Sequence, residues 1–118
     1  MSEFGEYVRQ RREELQKVDP GSFSVRKIAA LAGIEPSYLS KIERGQQPPP
    51  GERTIIALAN ILSEDPDALL AMAGKVSEDL QKIIRRRPRL FADVIRQLKD
   101  MPDHALLRIV REVRDGDW

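Results

Sequence analysis

Between Glu35 and Arg44 the chain carries a cluster of polar and edge side chains: Glu35, Pro36, Ser37, Tyr38, Lys41 and Arg44. Their chemistry is hydrogen-bond recognition. A serine hydroxyl donates and accepts, an ammonium offers three donors, and a guanidinium offers five in a fixed fork. Bond-making chemistry is not written in this chain. No nucleophile has a base nearby in the sequence, and no Gly-rich phosphate loop is present. Cysteine is absent and His104 is the single histidine, so neither a disulfide framework nor a thiolate or histidine metal site is expected. The carboxylates are scattered over amphipathic stretches and read as solvated faces. No cofactor and no metal are expected, and an enzyme is a distant reading.

The polar cluster needs a rigid helix beneath it. Leu39 and Ile42, three apart, face inward and leave the cluster outside or at the edge. Pro36 suits the first turn, where its missing N–H costs little, and Gly45 ends the helix. A second short helix precedes this one. Ser24 can cap it by accepting a bond from a first-turn amide. Ile28, Ala29, Leu31 and Ala32 form its apolar face, and small Ala29 permits a close crossing. Gly33 ends it, because a residue without Cβ takes positive φ readily. Ile34 plugs the turn. Two short helices joined by a tight glycine turn fit a helix-turn-helix, a unit that sets its second helix in the major groove of DNA.

The segment resembles the lambda-repressor-like helix-turn-helix family, also called the XRE family. The matching residues are Phe4-Gly5-Glu6 with Arg9 and Arg12, then Ile28-Ala29, Gly33-Ile34 and the run from Ser37 to Gly45. Pro48 to Pro50 follow, and then Leu58-Ala59 with Leu62. The resemblance covers roughly residues 3 to 73, and its Ser-Tyr-Leu-Ser-x-Ile-Glu-Arg run is specific.

The resemblance implies that the helix at about 35–44 enters the major groove, with Glu35, Pro36, Ser37 and Lys41 at base edges. There Lys41 can donate to guanine O6 and N7, Ser37 is permissive, and Pro36 offers an apolar contact to a thymine methyl. Glu35 can accept from cytosine N4 or simply cap the helix. Ser24, Arg26, Lys27, Tyr38, Arg44, Gln46 and Gln47 are candidates for the DNA backbone, which fixes register. The amides that follow Ser24 make a natural phosphate site. Solvated helix faces are the plainer reading of Arg26 and Lys27, and scaffold packing that of Tyr38. The family often has glutamine after the capping residue; here it is Val25, so one habitual contact is absent. The family also pairs an arginine of the first helix with the glutamate near the end of the recognition helix, which implies an Arg12–Glu43 structural pair.

With 118 residues, one domain and an extension are expected, with a modest core. No apolar run approaches the ~20 residues that span a bilayer, and the N-terminus is polar, so no membrane association and a cytoplasmic location are expected. Net charge is only +1. From Lys75 onward there are 11 Lys and Arg against 8 Asp and Glu, so the positive surplus sits in the tail.

The expected fold is all-α: a five-helix lambda-repressor-like DNA-binding domain over 1–74, then about three helices in an extension over 75–118. The first helix is predicted from about Ser2 to Lys17. The extension carries large apolar residues at helical spacing, which need something to pack against. Leu90, Phe91, Val94, Ile95 and Leu98, with Leu106, Ile109, Val110 and Val113, are candidates for a dimer or partner interface, because twofold pairing is the commonest assembly. Folding back onto the first domain is the plainer reading. The Arg85 to Arg89 cluster could contact DNA flanks; a solvated helix C-terminus, favoured by the macrodipole, is its plainer reading.

The expected function is a sequence-specific regulator that binds double-stranded DNA, most simply a dimeric repressor on a palindromic operator. The alternative is an autoregulating component whose tail captures a protein partner such as a toxin, a protease or an antagonist.

Overall fold

The structure, a computed structural model, describes residues 3–118. Among these residues are eight α-helices and no strand. They are α1 Glu3–Val18, α2 Val25–Ala32, α3 Pro36–Glu43, α4 Glu52–Ile61, α5 Pro66–Met72, α6 Glu78–Arg86, α7 Pro88–Leu98 and α8 Asp103–Asp115. The fold is all-α, as the apolar periodicity predicts. The expected start at Ser2 lies outside the described residues. The chain divides into two compact units, with the division between Ser77 and Glu78.

The first unit holds α1 to α5. Phe4 and Val8 of α1, Ile28 and Ala29 of α2, Leu39 and Ile42 of α3, Ile55, Leu58 and Ala59 of α4, and Leu69 and Leu70 of α5 are buried together, with Leu62 beside them. Each large aliphatic side chain buried in this way contributes about 1.5–3 kcal/mol. Helix α1 packs on α3 and α5, α2 on α3 and α4, and α4 on α5. Among the described residues no buried side-chain nitrogen or oxygen lacks a hydrogen-bond partner.

One expected core position is wrong. Leu31 is 66% exposed. The inward stripe of α2 runs through Val25, Ile28, Ala29 and Ala32, at i, i+3, i+4 and i+7, and Leu31 falls off its edge.

Local signals end the helices where the core requires it. Gly33 has φ 72°, and the amides of Gly33 and Ile34 donate back to the carbonyls of Ala30 and Ala29 at 3.2 and 3.0 Å. That pattern satisfies the last carbonyls of α2. The end of α4 uses the same pattern with Glu64 N donating to Ala59 O at 2.8 Å, but the left-handed residue there is Ser63, at φ 56°. A Cβ in that conformation is strained.

The second unit holds α6, α7 and α8, with α6 packed on α7. None of its residues is buried. Ile84, Phe91, Leu98, Leu106 and Ile109 reach only half-burial. Leu90, Val94, Ile95, Leu107, Val110 and Val113 are exposed. At the end of α6, Arg85 reaches Glu78 and Gln81, both at 3.4 Å. Trp118 lies back along the end of α8, its Nε1 donating to the Val113 carbonyl at 3.0 Å.

Candidate nucleic-acid interface

Helix α3 begins with Pro36 at its first position and presents Glu35, Ser37 and Lys41 to solvent. Ser37 and Lys41 are four residues apart, so they share one face. Pro36 is half-buried at its edge. Glu35 occupies the N-cap, but its side chain makes no capping bond, so the capping role open to it in the sequence is not used. Tyr38 is half-buried and its side chain packs against the core.

Three contacts fix α3 to its scaffold. Leu39 and Ile42 insert into the core from its inner face. Gly5 of α1 lies directly against the end of α3: a Cβ there would overlap the Ile42 carbonyl oxygen. Arg12 of α1 holds Glu43 with both prongs of its guanidinium. Its Nε donates to Oε2 at 2.8 Å and its Nη2 to Oε1 at 2.9 Å. Its Nη1 donates further to Gln16 Oε1 and to the Phe23 carbonyl, each at 3.2 Å. The bonds to Glu43 raise the Arg12 pKa above its ordinary value, against the opposing effect of burial. Both side chains are buried, and the planar fork matches the carboxylate. A single arginine thus ties α1, the loop before α2 and the end of α3 together.

The start of α2 is electropositive, as helix starts are. Ser24 caps it, its Oγ accepting from Lys27 N at 3.2 Å. Arg26 and Lys27 are exposed in the first turn. An electropositive helix start with cations beside it favours phosphate. Val25, where the resembled family often has glutamine, packs against the core. Arg44, Gln46 and Gln47 are exposed just past α3. The Arg44 Nε donates to the Ser40 carbonyl at 3.2 Å. The two helices therefore carry hydrogen-bonding side chains on α3 and an anion-favouring start on α2, held by one rigid scaffold. In the second unit, the candidate interface residues Leu90, Val94, Ile95, Val110 and Val113 are exposed, and Phe91, Leu98, Leu106 and Ile109 are half-buried.

Sequence reasoning missed several partners. Arg11 carries no motif in the sequence. In the structure its Nε reaches the Leu62 carbonyl at 3.1 Å and Glu64 at 3.0 Å. Tyr7 hydrogen-bonds Glu64, and this bond, ahead of burial, raises its pKa above the ordinary 10.0. Lys75 Nζ donates to the Pro50 carbonyl at 3.1 Å. No spacing rule links residues so far apart. Among the described residues no three His, Asp or Glu side chains are grouped as metal ligands, and no helix is long and apolar enough to cross a membrane.

A capped helix, a glycine turn and a clamped second helix with an exposed polar face define a helix-turn-helix DNA-binding domain. The chain belongs to the helix-turn-helix domain family, whose model matches residues 3–72. Comparison with curated proteins and with solved structures gives no match.

Proposed function

We propose that the chain is a sequence-specific transcriptional regulator of the lambda-repressor-like, XRE type, acting as a homodimeric repressor on a palindromic operator. The observation that carries this reading is the clamped α3. Arg12 and Glu43 fix its end, and Ser37 and Lys41 stand exposed on one face. A rigid helix loses little entropy on docking, and the pair can read base edges by donation and acceptance. Glu35 and Pro36 extend the reading face. Ser24, Arg26, Lys27, Tyr38, Arg44, Gln46 and Gln47 serve the phosphates on either side.

Pairing is supported by the second unit, whose apolar faces find no core. The candidate seam runs from Leu90 to Leu98 and from Leu106 to Val113. A twofold dimer presents two reading helices to half-sites about 34 Å apart. It represses by occupying a promoter.

The test is selection of bound fragments from genomic DNA with the purified protein. Salt-dependent binding of the selected sequence is then measured for the wild type and for Ser37→Ala/Lys41→Ala. A palindrome bound by the wild type and lost by the double variant supports the reading. Equal binding by both removes α3 from the groove.

The same coreless unit favours a second reading, in which the tail captures a different protein and DNA binding serves autoregulation. A monomer in solution at high concentration would favour it over the homodimer.

A further inference from the structure

Two adjoining clefts run between α1 and the end of α3. The larger, about 460 Å³, is lined by Glu6, Arg9, Gln10, Glu13, Glu43, Arg44 and Gly45. The smaller, about 200 Å³, shares Arg9, Glu13, Glu43 and Arg44 with it and continues to Ser40 and to Val25 at the start of α2. The depression therefore passes from α1, along the last turn of the reading helix, to the first residue of the anion-favouring helix. Arg12 and Glu43 neutralise each other at its floor. Arg9 and Arg44 are the remaining cations and are exposed, while Glu6 and Glu13 are the remaining acids.

Arg9 is not used by the scaffold. Its guanidinium pairs only loosely with Glu13, Nε to Oε1 at 3.5 Å, and both side chains are about half exposed. Such a pair one helical turn apart contributes little to stability and yields readily to a stronger acceptor. A phosphodiester oxygen is such an acceptor, since guanidinium bonds to phosphate are charge-assisted and fork-shaped.

We propose that Arg9 is a further DNA-phosphate ligand, restrained by Glu13 until the duplex arrives and then bound to the strand that meets Arg44 and the start of α2. This rests on the DNA-binding reading of α3 but assigns a role to α1. Glu13 then acts as an internal competitor that weakens binding without touching a base.

The test uses the full chain with the selected operator and with a scrambled duplex, over a range of salt. Arg9→Gln should weaken binding to both duplexes by a similar factor, about threefold near physiological salt, and make the salt slope shallower by about 1. Arg9→Lys should restore the slope, and Glu13→Gln should tighten binding to both duplexes. Melting temperature, read in parallel, should hardly move. An Arg9→Gln protein with unchanged affinity and slope overturns the proposal, as does one that loses the operator alone. If Ser37→Ala/Lys41→Ala loses the operator while Arg9→Gln binds normally, this assignment fails and the reading of α3 stands. If the wild type binds neither duplex, both fall.

Discussion

Residue by residue, the pair with the most at stake is Arg12 and Glu43. Both are buried, and each satisfies the other. Removing one partner of a buried pair leaves the other charge uncompensated, which costs about 3–5 kcal/mol. Glu43→Ala should therefore lower the melting temperature and weaken DNA binding together. Normal stability with lost binding would instead make Glu43 a direct DNA contact. Tyr7 gives a pH signature. Its raised pKa means the folded state favours the protonated phenol bonded to Glu64. That contribution is complete below the unfolded phenol's pKa of about 10 and is lost as pH rises through the higher folded value. Melting temperature should fall in that alkaline window, and Tyr7→Phe should flatten the fall. An unchanged alkaline profile would detach Tyr7 from it.

At the scale of elements, two backbone positions control how helices meet. Gly5 lets α1 approach the end of α3 until no Cβ fits. Gly5→Ala should cost about 1–3 kcal/mol through overpacking and displace α3. Amide exchange across α3 should then accelerate more than across α5; uniform acceleration would mean a general loss of stability only. Ser63 ends α4 in the left-handed region. Ser63→Gly should relieve about 1 kcal/mol of strain, seen as a higher melting temperature. A lower one would mean the added freedom of the unfolded chain outweighs that relief.

The elements themselves were largely legible. The cap at Ser24, the turn at Gly33 and the inward pair Leu39 and Ile42 are local signals, and the helices follow from them. Leu31 misled because the apolar stripe of a helix has two edges and periodicity does not say which edge is covered. The bonds of Arg11 and the fit of Gly5 against Ile42 join residues distant in sequence, so only the packed fold reveals them. The resemblance implies the Arg12–Glu43 pair; Gln16, one helical turn on from Arg12, lies within reach of the same guanidinium by spacing, whereas the Phe23 carbonyl carries no sequence signal.

For the whole molecule, the contrast lies between a unit with a full core and one with none. Three amphipathic helices without a buried residue leave their apolar faces in water unless something covers them. In the homodimer reading, replacing Val94 and Val110 by glutamate should yield monomers in sedimentation. Thermal unfolding of the first unit should stay unchanged, and affinity for a palindrome should drop. A double variant that remains dimeric would place the seam elsewhere.

Trp118 is the chain's single tryptophan and is 91% exposed, while both tyrosines, Tyr7 and Tyr38, belong to the first unit. The second unit therefore carries its own fluorophore. Indole emission reports on the tail and tyrosine emission on the DNA-binding unit, so each can be followed in one unlabelled sample. Burial of the indole by an arriving protein surface would shift its emission to shorter wavelength, and a titration of protein concentration would then trace assembly without any attached dye.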